Sequence, residues 1–225
     1  MAINSMEHVH LIGIGGSGLS AIARVLLERG MVVSGSDRQT SAVTQTLQEA
    51  GARVYIGHSA DNVLGADVVV RSSAVSDDNV EVIAAQGTGI PVLKRAEFLG
   101  KVLGSYQVIA IAGTHGKTTT TAMISWTLTV LGQAPSFIIG GVARDLKTNA
   151  RAGAGSIFVI EADEYDHMFL GLSPDIAVVT NVEHDHPDCY PTPEDFYQAF
   201  QGFVSRLTQA AFCWDAMMIL APGVY

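Results

Sequence analysis

The sequence predicts an α/β fold built as two successive parallel-sheet units. Short β-branched runs alternate with amphipathic helical stretches along nearly the whole chain, two strand-to-helix junctions carry glycine-rich turns, and the alternation breaks near residue 104 and then restarts. Strands separated by helices need crossover connections, so they pair in parallel with helices on both faces.

HVHLIGI (8–14) reads as the first strand. SGLSAIARVLLERG (17–30) follows as a helix with Leu19, Ile22, Val25 and Leu26 on one face and Gly30 at its end. MVVSGSD (31–37) is a second strand, and SAVTQTLQEAG (41–51) a second helix closed by glycine. RVYIG, ADVVVRSSA and IPVLK read as further strands, with a helix near 79–86. KVLGSYQ (101–107) reads as a connection, which sets the domains at 1–104 and 105–225. In the second unit the pattern gives strands over 107–112, 136–140, 156–161 and 175–180, and helices over 117–131 and 193–207. The stretch 141–155, rich in glycine, alanine and basic residues, is expected to be a mobile loop.

Of the 225 residues, 48% are hydrophobic and 16% charged, a globular composition, and the formal net charge is −9. A chain this acidic has no overall field to attract nucleic acid or an anionic membrane, so a phosphate ligand must be held by local amides and a few placed cations. Two cysteines, Cys189 and Cys213, do not make a disulfide framework, which fits a reducing compartment. The N-terminus lacks a basic region before its apolar run, and no run reaches the ~18 apolar residues of a spanning helix. The expectation is a cytoplasmic protein with no membrane or nucleic-acid partner; nothing in the pattern specifies an oligomeric state.

Gly13-Ile14-Gly15-Gly16-Ser17-Gly18 matches G-x-G-x-x-G between a strand and a helix. Glycines there permit a tight turn and close approach of backbone amides to a diphosphate at the helix N-terminus. Asp37, ending the second strand, is placed to bond a ribose hydroxyl, and Ser72 and Ser73 follow another strand at the edge where ligands sit. The motif reads most directly as NAD binding, but a UDP-sugar also carries a diphosphate, and glycines can serve packing alone.

QVIAIAGTHGKTTTTAMISW reads as strand, loop and helix. The nucleotide loop G-x-x-x-x-G-K-[ST] would put glycine at 111, where this chain has Ile111. The shortened loop, Gly113-x-x-Gly116-Lys117-Thr118, is expected to form an anion nest over Gly113–Thr118 for ATP, with Thr114, His115 and Thr119 also at the nucleotide, Lys117 on the outer phosphates and the Thr118 hydroxyl on Mg²⁺. FVIEADEYD (158–166) ends a strand with Glu161, Asp163, Glu164 and Asp166, where an acid can hold Mg²⁺. VVTNVEHDHPD (178–188) ends the next with Asn181, Glu183, His184, Asp185, His186 and Asp188. His-x-His beside Cys189 is a weak zinc signal; His186 fits better as a ligand of a second hard metal or a phosphate contact.

Taken in order, GIGGSGLSAIA, SGSD, GTHGKTTTTAM, EADEYD and TNVEHDHPD resemble the Mur ligases of peptidoglycan precursor synthesis, over residues 8 to about 207. The resemblance implies a Rossmann-like N-terminal domain that binds UDP-N-acetylmuramate rather than NAD. Gly13, Gly15, Gly16, Ser17, Gly18, Asp37, Ser72 and Ser73 would then face the substrate. It implies next a P-loop ATPase domain with ATP on residues 113–119 and Asn181, and catalytic roles for Lys117, Glu161 and His186. Thr118 and Glu161 would hold one Mg²⁺ and His186 would lie near a second. Histidine in GTHGKT and the GIGGSGLS loop are similar to the branch that joins L-alanine to UDP-N-acetylmuramate; a related branch recycles murein tripeptide. The resemblance implies a third, C-terminal domain in the family's ligases; after Asp215 the sequence stops resembling them, so the expectation is a truncated ATPase domain without that third domain. The competing readings are a UDP-sugar-binding fragment without turnover and, on GIGGSG alone, a nicotinamide oxidoreductase.

Overall fold

The computed structural model describes residues 6–207 and the strand at 212–215. It divides into two compact units, Met1–Val102 with Ala150–Ala152, and Leu103–Asn149 with Gly153–Tyr225. Among the described residues, no helix is long and apolar enough to cross a membrane.

The first unit holds β1 (His8–Ile12), α1 (Ser17–Glu28), β2 (Val32–Asp37), α2 (Ala42–Glu49), β3 (Arg53–Ile56), β4 (Val68–Arg71), α3 (Val80–Gly87), β5 (Val92–Lys94) and α4 (Arg95–Leu103). Its five strands pair in parallel in the order β3-β2-β1-β4-β5. β1 is central, so the turn after it sits where the strand order reverses. Two helix starts follow from local chemistry. Ser41 caps α2 through a reciprocal box with Thr44, and Asn79 caps α3 by accepting from the Glu81 amide. The segment read as a connection is in part helix α4. Phe98, Leu99, Val102 and Leu103 recur at helical spacing and are all buried, and the Glu97 carboxylate accepts from the Lys94 amide at the helix start.

One face of this sheet carries a buried polar seam. His8 and His10 on β1 share a face with Ser34 and Ser36 on β2, because the register pairs His10 with Ser34 and Ile12 with Ser36. Ser34 Oγ lies 2.7 Å from His8 Nε2 and 2.8 Å from His10 Nδ1. Glu81 of α3 is fully buried above them. It accepts from Ser36 Oγ and, at 2.6 Å, from Asn62 Nδ2, with His58 Nδ1 at 3.0 Å and His10 Nε2 at 3.8 Å. Beside this seam the same layer is dry, with Ile12, Val63, Val69, Val82 and Ala85 in one apolar cluster.

The rest of the chain holds β6 (Gln107–Ala112), α5 (Lys117–Val130), β7 (Ser136–Ala143), β8 (Thr148–Arg151), β9 (Ile157–Glu161), β10 (Ile176–Val179), α6 (Pro193–Val204) and β11 (Phe212–Asp215), whose strands form the second sheet. The sheet order is β11-β10-β6-β9-β7-β8, with β6 parallel to both neighbours. Ile111, Phe137, Ile139, Leu146 and Val159 form its core, against which Ala122, Ile124 and Leu128 of α5 pack. The stretch 141–155 is not the mobile loop expected from its composition: β7 runs on through Ala143, a turn follows, and β8 returns, with Leu146 and Ala150 buried. A connection this short cannot cross over, so the two strands form a hairpin. A further strand, β11, follows α6, while the tail after Asp215 lies outside the described residues.

Burial works to raise the Glu81 pKa, but the nearby His10 imidazole and the hydrogen bonds from Ser36 and Asn62 outweigh it and bring the value from 4.5 to about 2. A depressed carboxyl pKa contributes stability that is present above the unfolded value and lost as pH falls through the folded one. Glu81→Gln is therefore expected to cost about 2–3 kcal/mol at neutral pH. The gap to the unchanged chain should narrow as pH falls from 4.5 to about 2, read by denaturant unfolding of each protein across that range.

Candidate phosphate-binding sites

In the second unit the chain leaves β6 at Ala112, turns through Gly113–Gly116 and enters α5 at Lys117. Gly113 has φ +136 and Gly116 φ +82, conformations that favour glycine. At Gly113 there is also no room for a side chain, since a Cβ would come within 2.0 Å of Thr180 Oγ1. Thr180 and its followers leave β10 beside the turn and latch it. Thr114 N donates to Asn181 O (3.1 Å), His115 N to Asn181 Oδ1 (2.8 Å) and Thr114 Oγ1 to Glu183 O (2.7 Å), while Thr180 Oγ1 donates to the carbonyls of Ala112 and His115. The anion nest is thus shorter than the expected run over Gly113–Thr118, because two of its amides face Asn181. The first amides of α5 have no intrahelical acceptor, and Gly116 supplies no side-chain cap, so Lys117, Thr118 and Thr119 present the open helix N-terminus.

Lys117 folds back over the turn. Its ammonium donates to the carbonyls of Gly113 and Thr114, the latter at 3.3 Å, and to Glu164 Oε1 at 2.8 Å. Glu164 is 1% exposed, and its Oε2 has no hydrogen-bond partner among the described residues. His186 Nε2 lies 3.7 Å from the same Glu164 oxygen. His186 sits at φ +54, a left-handed conformation that a non-glycine residue holds at a cost and that clusters at working sites. Asp166 and His167 share that conformation in the turn after Glu164.

Thr118 Oγ1 donates to Glu161 Oε1 at 2.9 Å, and Gly140 N donates to Glu161 Oε2 at 2.7 Å. A hydroxyl and a carboxylate side by side at a helix N-terminus are hard oxygen donors. They fit Mg²⁺, which takes one or two such groups and completes its shell with water and phosphate. The structure brings Thr118 to Glu161 and His186 to Glu164. Among the described residues, no three His, Cys, Asp or Glu side chains gather as a metal ligand set.

The first unit's glycine turn is built on the same plan. Gly13 and Ile14 amides donate to Ser36 O, Gly16 N bonds back to Gly13 O, and Ser17 and Gly18 begin α1. Asp37, at the end of β2, accepts from Gly15 N at 2.8 Å through Oδ2 and from Arg38 N through Oδ1. It thus braces the turn as well as lying beside it. Ser72 packs against Gly13, with its Cβ 3.2 Å from where a Gly13 Cβ would stand, whereas Ser73 is exposed in the turn after β4.

Several of these participants were not among the expected site residues. Glu164 stands in an acidic run in which nothing marks it as the buried member. Thr180, just past the end of β10, and Gly140, within β7, reach the loop and Glu161 through strands that only the sheet order brings together. Arg95, at the start of α4, lays its guanidinium where a side chain at Gly18 would be. Gly113→Ala meets both the forbidden φ and the Thr180 hydroxyl, so it is expected to destabilise the chain by ~1–3 kcal/mol and to raise hydrogen exchange at the Thr114 and His115 amides.

Comparison with known proteins places this geometry. Residues 8–107 match the Mur ligase family catalytic domain, and residues 111–219 match the Mur ligase middle domain. The UDP-N-acetylmuramate–L-alanine ligase of Roseiflexus sp. (strain RS-1) is 51% identical over 203 residues, covering 90% of this chain and 43% of that protein. The enzyme of the same name from Chlorobium phaeovibrioides is 49% identical, over 92% of this chain and 44% of its own. The chain thus spans somewhat less than half the length of these curated relatives. Among solved structures, the UDP-N-acetylmuramate:L-alanyl-gamma-D-glutamyl-meso-diaminopimelate ligase of Neisseria meningitides superposes with TM-score 0.86 at 32% identity, over 94% of this chain and 71% of the other. The UDP-N-acetylmuramate-alanine ligase of Thermotoga maritima superposes with TM-score 0.83 at 31% identity, over 92% and 48%. With both sequence units matched and a solved relative aligned over most of its length, this chain belongs to the Mur ligase family.

Proposed function

We propose that the chain serves an ATP-dependent ligation that joins L-alanine to the lactyl carboxylate of UDP-N-acetylmuramate in peptidoglycan precursor synthesis. The observation that carries this reading is the shortened phosphate loop. Its lysine is held by Glu164 and its helix-start Thr118 touches Glu161, in a chain about half identical to ligases named for that reaction. The curated relatives at 51% and 49% identity are named for the alanine reaction, which favours that branch, while the two solved relatives, at 32% and 31%, do not separate the branches.

In this reading residues 1–104 hold the UDP-sugar, with its diphosphate over Gly13–Gly18 at the N-terminus of α1, braced by Asp37 and flanked by Ser72. Residues 105–225 hold ATP. The carboxylate attacks the γ-phosphate and ADP leaves. The amine then attacks the acyl carbon, and phosphate departs with the former carboxylate oxygen. Lys117 offers a positive charge to an outer phosphate, and the α5 amides offer donors. Thr118 and Glu161 would hold Mg²⁺, which when bound offsets the repulsion between carboxylate and phosphate. His186, beside Glu164, is placed to contact phosphate or a second cation. Both ligands are soluble precursors, which assigns the work to the cytoplasm.

The test is ADP release from Mg·ATP with UDP-N-acetylmuramate whose carboxylate carries ¹⁸O, with and without L-alanine. The expected result is alanine-dependent ADP with one ¹⁸O in each phosphate released. Alanine-independent ADP, or phosphate without label, contradicts the reading. Binding of both ligands without ADP would confine the chain's role to holding them. Lys117→Met is expected to lower ADP release by about a hundredfold or more, since it removes the charge opposite the transferred group.

A further inference from the structure

Glu164 stands in the EADEYD stretch but has no role in the proposed reaction, yet its surroundings are unusual. The side chain is 1% exposed, and it is anchored from behind by the Tyr190 hydroxyl, which donates to the Glu164 carbonyl. One carboxylate oxygen serves the Lys117 ammonium at 2.8 Å and faces His186 Nε2 at 3.7 Å, while the other is buried with no donor among the described residues. A carboxylate kept for structure alone would have both oxygens satisfied, because a buried oxygen without a donor is costly. A negative charge held out of water against two basic side chains makes sense if those side chains must be aimed.

The ammonium shows what the aiming achieves. Lysine has three N–H donors, and here they go to Glu164, the Gly113 carbonyl and, at 3.3 Å, the Thr114 carbonyl. A phosphate can reach the ammonium only by displacing an acceptor, and the long Thr114 contact is the weakest. The Glu164 and Gly113 contacts then remain and hold Nζ over the turn while its third N–H passes to the phosphate.

We infer that Glu164 is a positioning residue of the nucleotide site: it fixes the Lys117 ammonium over the loop without itself touching the nucleotide. This rests on reading Gly113–Thr118 as a nucleotide loop. The experiment measures Mg·ADP affinity by calorimetry on the full chain for the unchanged protein, Glu164→Gln, Lys117→Met and the double variant. Glu164→Gln keeps the shape and removes the charge, and is expected to weaken Mg·ADP binding about tenfold to a hundredfold. In the Lys117→Met background the same change should cost little more, because the residue acts through that lysine. Affinity in Glu164→Gln equal to or tighter than the unchanged chain overturns the inference. So does a loss of the same size with and without Lys117, which would mark a purely structural role. If Glu164→Gln fails to fold, Glu164→Asp, which keeps the charge, decides: affinity restored to within a few-fold of the unchanged chain supports the inference, and affinity as poor as in Lys117→Met overturns it. A folded, unchanged chain that does not bind Mg·ADP would instead defeat the nucleotide reading beneath it.

Discussion

A parallel sheet brings loops from neighbouring strands together only where the strand order reverses, and both units place their glycine turn at that point. In the second unit β6 lies between β9 and β10, so the turn after β6 is flanked by Glu161 on one side and Thr180–Glu183 on the other. In the first, β1 lies between β2 and β4, so its turn meets Asp37 and Ser72. Glycine is required at Gly113 because the β10 exit approaches so closely. The helix that follows each turn aims its unsatisfied amides at whatever occupies the crevice.

The candidate site around Lys117 and Glu164 rests in turn on a layer of aromatic packing behind it. α6 starts at a capping box between Thr192 and Asp195 and buries Phe196, Phe200 and Phe203. Phe169 stacks on Phe203, and Tyr190 meets Phe196 edge-on at 5.0 Å. Burial first, then the nearby charges of Cys189 and Glu164, push the Tyr190 hydroxyl pKa up, so it stays protonated and can donate to the Glu164 carbonyl. A rigid aromatic wedge therefore sets the height of the carboxylate that sets the height of the lysine. The left-handed residues Asp166, His167 and His186 lie in the turns on either side of this wedge, where such packing can hold a costly backbone.

Much of this was legible in the sequence because it is local. Alternation gave the strands, glycine and capping residues gave the turns and helix starts, and Lys117, Thr118 and Glu161 stand in an order that few other folds share. What escaped was non-local. Glu164 cannot be told from Asp163 or Asp166 by type or spacing, and only the fold decides which acid is buried. The hairpin over residues 136–151 was hidden because its glycines and basic residues mimic a loop, while the apolar positions that fix it, Leu146 and Ala150, are too sparse to show a period. Helix α4 was hidden by its abrupt start directly from β5, which leaves no turn between them to signal a change of element. Asp37 was read for its carboxylate, but the structure shows that this group first serves the backbone of its own turn.

On the proposed reading the chain carries two separate phosphate sites, one on each glycine turn. The most direct test is calorimetric titration of UDP-N-acetylmuramate into the chain already saturated with Mg²⁺ and a non-hydrolysable ATP analogue. Two sites predict one equivalent of UDP-N-acetylmuramate bound in the presence of the analogue, and its loss in a variant with Gly15→Ala, where a Cβ would come within 2.7 Å of the Asp37 carboxylate. Competition between the two ligands, or UDP-N-acetylmuramate binding untouched by that change, would contradict it.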